Sequence, residues 1–465
     1  MKINLKSLFA CAALSASMML QAQNVKYVFY YIGDGMGLNP VNAAQYYNRT
    51  ILGNDEPLTM MKFPTAGWCQ TYSASADITD SAAAGTALST GYKTRNSMLG
   101  MTPDSAAVTS VAVKFQEMGY GIGIATSVSP DDATPGAFFA HVPKRSMSYE
   151  IGKQMAASGY QFIAGAGLRG AMADGAPTDL MEAFVKNNVQ VVYGPEGIGE
   201  IKSDKVLLLN TPGGDPNEIG YTIDSIPGVL TLPLIATTCL EQLERTSPDK
   251  FFMMIEGGNI DHALHANDGG AAIKEILNFD QALQVAFRFY QAHPDETLIV
   301  VTADHDTGGM SYVAPRTPGG GLANIDFQRV SKEQFSNYCK ALLRSRNIYT
   351  WQDMEQYLSD HLGFFSHIKL TEEQTDTLKA LFNKTFEMRN SADQKTLYAN
   401  FNEFAVEVFR IFNQASGLAF TTTSHSANGV PVFAIGVGAD EFRGLNNNTD
   451  IPERIFKIAT GQTLK

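Results

Sequence analysis

Apolar runs rich in β-branched and aromatic residues punctuate this chain, and the strongest of them end in glycines, acids or histidines. Residues 25–32 (VKYVFYYI) predict a buried strand that empties into Gly33-Asp34-Gly35-Met36-Gly37. Helical signals follow Pro40 and return in the small-residue stretch that begins at Ser81. Residues 108–118 predict a helix and 121–126 a strand, which opens into Ser129-Pro130-Asp131-Asp132-Ala133-Thr134-Pro135. Weaker patterns predict helices over 149–157 and 178–186 and short strands over 190–193 and 206–209. A helix over 232–245 then leads to the strand 251–255 and the loop running from Glu256 to His265. A helix over 271–292 leads to the strand 297–302 and to Ala303-Asp304-His305-Asp306.

Strand, polar loop and helix alternate, and this predicts an α/β fold: a doubly wound, mostly parallel sheet with helices on both faces. In such sheets function gathers at the carboxyl ends of the strands. The alternation breaks over residues 331–416, which carry helical signals only, with one helix starting at Thr371 and another at Asp393. This stretch reads as a helical insertion crowning the pocket mouth. The sheet resumes at 430–436, just after Thr423-Ser424-His425-Ser426. The expected organisation is an export signal over 1–22 and one catalytic domain over 23–465, interrupted at about 331–416.

Composition narrows the function. With 44% hydrophobic and 18% charged residues among 465, the chain is neither disordered nor fibrous. Its formal charge of −12, without a basic run, argues against a nucleic-acid polymer as partner. Lys2 and Lys6 precede an apolar stretch that is too short for a lasting membrane anchor, with a cleavage site near Ala22, so a periplasmic or secreted protein is expected. Cys69, Cys239 and Cys339 are far apart and lack CxxC spacing, which argues against a thiolate zinc site and leaves a disulfide between two of them open.

Ser81 sits between Asp80 and a run of tiny residues, so its hydroxyl falls at a helix's first turn, where unpaired N–H groups and the helix dipole favour an anion. Asp34, Asp132, Glu256, Asp261, His265, Asp304, His305 and His425 all fall near predicted strand ends. Asp261 and His265 are four apart, so one helical turn presents both to a metal. Carboxylates and imidazoles without thiolate suit zinc, and an all-oxygen subset suits magnesium. An ion beside Ser81 would lower its pKa and so make it a nucleophile without a histidine base. Five carboxylates set against three divalent ions would leave the cluster slightly positive, which favours a phosphate dianion, with Arg145 as its two-pronged clamp.

These motifs resemble the alkaline phosphatase family: Ile32-Gly33-Asp34-Gly35-Met36-Gly37, Thr79-Asp80-Ser81-Ala82-Ala83, Asp132-Ala133-Thr134-Pro135, Glu256-Gly257 through His265, Thr302-Ala303-Asp304-His305 and His425, in the family's order. The resemblance implies hydrolysis of small phosphate monoesters through a phosphorylated Ser81, oriented by Asp80, with Arg145 holding the phosphate. It implies two zinc ions and one magnesium. One zinc would take Asp261, His265 and His425, the other Asp34, Asp304 and His305, and the magnesium Asp34, Asp132, Thr134 and Glu256. It also implies a homodimer.

Two features depart from the family pattern. His262, a candidate substrate-binding residue, stands where some members have lysine, yet it is paired here with Asp132. The 331–416 insertion is longer than in compact bacterial members, and its His361 and His367 read as packing or surface residues. A sulfatase would need a CxPxR-type sequence at the nucleophile, whereas Ser81 is followed by Ala82-Ala83-Ala84-Gly85. A metal-dependent phosphodiesterase or phosphomutase is the alternative enzyme, and an inert phosphate- or metal-binding protein the alternative class.

Overall fold

Strand β1, Tyr27–Gly33, carries β-branched or aromatic side chains along most of its length, and six of its seven residues are buried. A strand with no wet face must lie inside a sheet covered on both sides. The computed structural model describes residues 25–315, 319–345 and 348–465 and places β1 near the middle of a ten-stranded sheet. The expected export signal over 1–22 lies outside the described residues.

The other strands are β2 (Thr65–Gln70), β3 (Gly121–Thr126), β4 (Phe162–Gly165), β5 (Gln190–Tyr193), β6 (Val206–Leu209), β7 (Phe251–Gly257), β8 (Thr297–Ala303), β9 (Val430–Gly436) and β10 (Gly444–Asn447). Their spatial order is β10-β2-β9-β8-β1-β7-β3-β4-β6-β5. Only β9 runs against the rest. The fold is therefore α/β with a mostly parallel sheet, as the alternation predicts.

Alternate residues of β1 hold the two helical layers. The Tyr31 hydroxyl donates to the Ala282 carbonyl at 2.9 Å on the long helix Gly269–Ala292. Tyr30 points the other way, to Phe138 and Phe252, and Phe252 in turn stacks on Phe115 of the helix Val111–Glu117.

Register fixes what emerges at the carboxyl edge. Gly33 pairs with Ala303 of β8 and with Gly257 of β7, and Thr126 pairs with Glu256. Asp34 and Asp304, each one residue beyond its strand, therefore leave the sheet at one level as neighbours.

Strands β2, β4 and β10 have no counterpart in the sequence reading. The insertion is also not purely helical. Helices Lys332–Arg344, Trp351–Leu362, Glu372–Phe382 and Glu403–Ser416 enclose an apolar core of their own that includes Phe335, Leu358, Phe382 and Phe409. Thr371 starts its helix with a capping box, as expected. Asp393 does not start one: Asp393–Lys395 pairs with Asn400–Asn402 as a β-hairpin, and the last helix begins only at Glu403. Several hydrogen bonds tie this unit to the sheet domain, among them Ser331 N–H to Asp224 at 2.7 Å and Asn413 Nδ2 to the Asn267 carbonyl at 2.7 Å. The buried Lys332 donates from Nζ to the Ala266 carbonyl at 2.7 Å, one residue beyond His265.

Cys69, Cys239 and Cys339 are all buried and free, so no pair of them forms a disulfide. Among the described residues no helix is long and apolar enough to cross a membrane.

Candidate active site

Asp80 caps the helix Ser81–Thr90 by accepting from the Ala83 N–H at 3.0 Å, which sets Ser81 at the first helical position. All ten residues of that helix are buried, and alanine and glycine allow the close approach this needs. A Cβ on Gly85 would lie 3.2 Å from the Thr134 Cα, so the serine helix packs directly on the Asp132–Thr134 turn. Gly35 works in the same way at β1. Its φ of +69° suits glycine, and a Cβ there would come within 2.6 Å of Asp261 Oδ1.

Around Ser81 the strand-end loops converge. Ser81 Oγ lies 3.2 Å from His305 Nε2, and that nitrogen is 3.4 Å from Asp34 Oδ1 and 3.2 Å from Asp304 Oδ2. Asp34, Asp304 and His305 offer ligand atoms within 4.8 Å of one another, and so do Asp261, His305 and His425. His265 adjoins the second group, its Nε2 lying 3.3 Å from Asp261 Oδ2 and 3.0 Å from His425 Nε2.

The protonation of the three imidazoles follows from their outer partners. A carbonyl oxygen only accepts, so His265 Nδ1 donates to Thr423 at 2.6 Å and His425 Nδ1 donates to Thr79 at 2.8 Å. The Thr307 hydroxyl donates to Asp261 Oδ1 and therefore accepts from His305 Nδ1. All three Nε2 atoms are thus left as lone pairs pointing into one space. Asp34 Oδ1, Asp261 Oδ2, Asp304 Oδ2 and Thr134 Oγ1 are buried without a hydrogen bond. Buried acceptors converging without donors are a poor arrangement for a protein by itself and a good one for cations.

Titration follows the same crowding. Burial, then Asp304, Asp261 and Glu256, push Asp34 well above the carboxylate range. Burial lifts Glu256 to about 8 and Asp304 to about 7. At Asp261 burial is outweighed by His265, then His305 and His425, which in their protonated form hold its carboxyl well below the usual range. Burial, then His425, lowers His305.

Arg145 reaches Asp132 Oδ1 through Nη2 at 3.0 Å and lies 3.7 Å from Asp80 Oδ2. Asp132 also caps the turn that holds Thr134. Glu256 accepts from the Thr126 hydroxyl one strand away. His262 turns from Asp132 to Glu218, with Nδ1 and Oε2 3.1 Å apart.

Three residues of this site are absent from the sequence reading. Arg169 Nη1 lies 2.9 Å from the same Asp132 oxygen that Arg145 holds, and its Nε donates to Asn217 at 2.8 Å. It follows β4, so recognising that strand would have pointed to it. Thr307 orients His305 and Asp261, and the Tyr398 ring packs at a tilt against His262, 4.0 Å between ring centres. Neither carries a sequence signal. His361 and His367 stand apart, stacked on Tyr357 and Phe327.

With this geometry in view, the likeness to known proteins is extensive. The sequence model of the alkaline phosphatase family matches residues 25–194 and 165–461. The chain is similar to alkaline phosphatase 3 of Bacillus subtilis, 30% identical over 93% of this chain and 88% of that one. Alkaline phosphatase 4 of the same organism is 29% identical with the same coverage. Among solved structures, a cold-active alkaline phosphatase from Shewanella sp. superposes with a TM-score of 0.78 at 25% identity, covering 93% of this chain and 99% of that one. The Thermus thermophilus alkaline phosphatase shares the fold, with a TM-score of 0.76 at 23% identity over 94% of this chain and 92% of that one.

Proposed function

Because the chain belongs to the alkaline phosphatase family and is thereby a hydrolase of phosphate monoesters, we propose that Ser81 is its nucleophile, that the reaction passes through a phosphoserine, and that two zinc ions and one magnesium serve it. The observation that carries this reading is the buried set of lone pairs around Ser81. The three imidazole Nε2 atoms and the orphaned oxygens of Asp34, Asp261 and Asp304 fit divalent cations by donor type.

In this proposal one zinc is held by Asp261, His265 and His425, the other by Asp34, Asp304 and His305, and the magnesium by Asp34, Asp132, Thr134 and Glu256. A structure of the alkaline phosphatase from the Antarctic bacterium TAB5, in variant form, is described with magnesium bound at its M3 site. Bound here, such ions would lower the proton affinity of neighbouring oxygens and neutralise charge gathering on the transferring phosphoryl group.

The protein's own groups set the geometry. Ser81 Oγ forms a bond to phosphorus as the bond to the alcohol oxygen breaks, and the serine proton is carried, net, to the departing alcohol. Water then cleaves the phosphoserine, returning the Ser81 hydroxyl and releasing inorganic phosphate. Asp80 fixes the serine at the helix start, and Arg145 clamps two phosphoryl oxygens. Thr307 keeps the Nε2 lone pair of His305 aimed at the site.

The test is a comparison of p-nitrophenyl phosphate with bis(p-nitrophenyl) phosphate. Strong preference for the monoester is expected, and equal or faster turnover of the diester would overturn the reading. Thr307→Val, which keeps the β-branched shape and deletes both hydrogen bonds, is expected to weaken zinc retention about 10- to 100-fold in competition with a chelating indicator. Unaltered retention would show that Thr307 has no part in orienting the ligands.

A further inference from the structure

The helical insertion does more than crown the pocket: its β-hairpin delivers an aromatic side chain to the site. The hairpin is built from polar strands, Asp393–Lys395 and Asn400–Asn402, and closes through a four-residue turn. Within the turn the Thr396 N–H donates to the Ala399 carbonyl at 2.8 Å, and the Ala399 N–H returns a bond to Thr396 Oγ1 at 3.3 Å. Tyr398 is the third residue of that turn.

The hairpin is fastened on two sides. Lys340 lies 3.6 Å from Asp393 and donates to the Asn400 carbonyl. Lys332 lies over the ring of the buried Phe401 at 4.7 Å while its Nζ bonds the Ala266 carbonyl beyond His265. The turn and the His262–His265 helix are therefore held to each other through one lysine.

So placed, the Tyr398 ring stands 4.0 Å from the His262 ring and 5.2 Å, edge to face, from the His265 ring. Its hydroxyl makes no hydrogen bond among the described residues, and Arg145 and Arg169 lie in its electrostatic neighbourhood. Those two guanidinium groups already meet on one Asp132 oxygen, and Arg145 also lies beside Asp80.

We propose that Tyr398 is a substrate-contacting residue whose hydroxyl donates a hydrogen bond to the phosphoryl group beside Arg145 and Arg169, so that the insertion supplies part of the phosphate pocket. This rests on the site assignment above. His262, packed at a tilt against the ring and held by Glu218, is then the support that orients the tyrosine, which accounts for its turning away from Asp132.

Tyr398→Phe isolates the hydroxyl, because the ring and its packing on His262 and His265 are retained. In the metal-loaded enzyme the expected result is a fall in kcat/KM for p-nitrophenyl phosphate of about 10- to 100-fold, the scale of one hydrogen bond to a charged group. Inhibition by inorganic phosphate should weaken with it, while bound metal and melting temperature stay at wild-type levels. His262→Ala, which removes the support, should weaken phosphate inhibition in the same direction. Phosphate inhibition and kcat/KM within twofold of wild type in Tyr398→Phe would overturn the proposal. So would a loss accompanied by loss of metal, since the tyrosine would then be supporting His265. Failure of the underlying site assignment is read separately, from a wild-type enzyme that forms no phosphoenzyme on Ser81.

Discussion

Ser81→Ala is expected to lower monoester turnover at least about a thousandfold and to abolish the covalent phosphoenzyme, while the protein stays folded and keeps its metals. The fold should not notice the change. Alanine is favourable inside a helix, the position is wholly buried among small residues, and the Asp80 cap that starts the helix accepts from Ala83 and not from the serine. The metal sites should not notice it either, because the one described partner of the Ser81 hydroxyl is His305 Nε2, which Thr307 orients from the opposite ring nitrogen. Acid-quenched protein analysed by mass spectrometry separates the possibilities. Wild type should carry phosphate on the peptide containing Ser81, and the variant none. Near-normal turnover by the variant would remove Ser81 as the nucleophile, and lost turnover with lost zinc would make it a structural residue.

Why that serine could be found by reading the chain, and its neighbours only in part, is a matter of what a strand looks like in sequence. Strands β1, β7 and β8 are buried on both faces and so appear as unbroken apolar runs, which makes the residues leaving them, Asp34, Asp261 and Asp304, easy to place at one edge. Strand β4 is four residues long and includes alanine and glycine, and β10 reads GLNN, too polar to register as strand. Without β4 as a landmark, nothing in the sequence sets Arg169 apart from any loop arginine. Asp393 is a residue type that commonly starts helices, and the partner strands DQK and NFN carry no apolar alternation, so the hairpin and Tyr398 were hidden inside an apparently helical stretch. His262 illustrates a different limit. The family resemblance sets it near the substrate, but only the fold shows its ring lying between Glu218 and Tyr398.

Removing metal should be the other large effect, and its pH dependence has a definite sign. Dialysis against a chelator is expected to take activity to background, and zinc with magnesium to restore it. Elemental analysis of the purified enzyme should find two zinc and one magnesium per chain. Each ion present at a thousand times its dissociation constant contributes about 4 kcal/mol to folding stability, so melting temperature should fall with the metal. In the stripped protein, burial raises Asp304 to about 7 and Glu256 to about 8, above their values in an unfolded chain. Between roughly pH 4 and 8 the folded stripped state therefore holds protons that the unfolded chain has released, and its stability drops as pH rises through that window. Bound cations replace those protons, so the loaded protein escapes the drop. The gap in melting temperature between loaded and stripped protein should accordingly widen from pH 6 to pH 9, and zinc uptake at pH 6.5 should acidify a weakly buffered solution. A stripped protein that remains active, or a gap that narrows with rising pH, would mean that these carboxylates do not hold the ions.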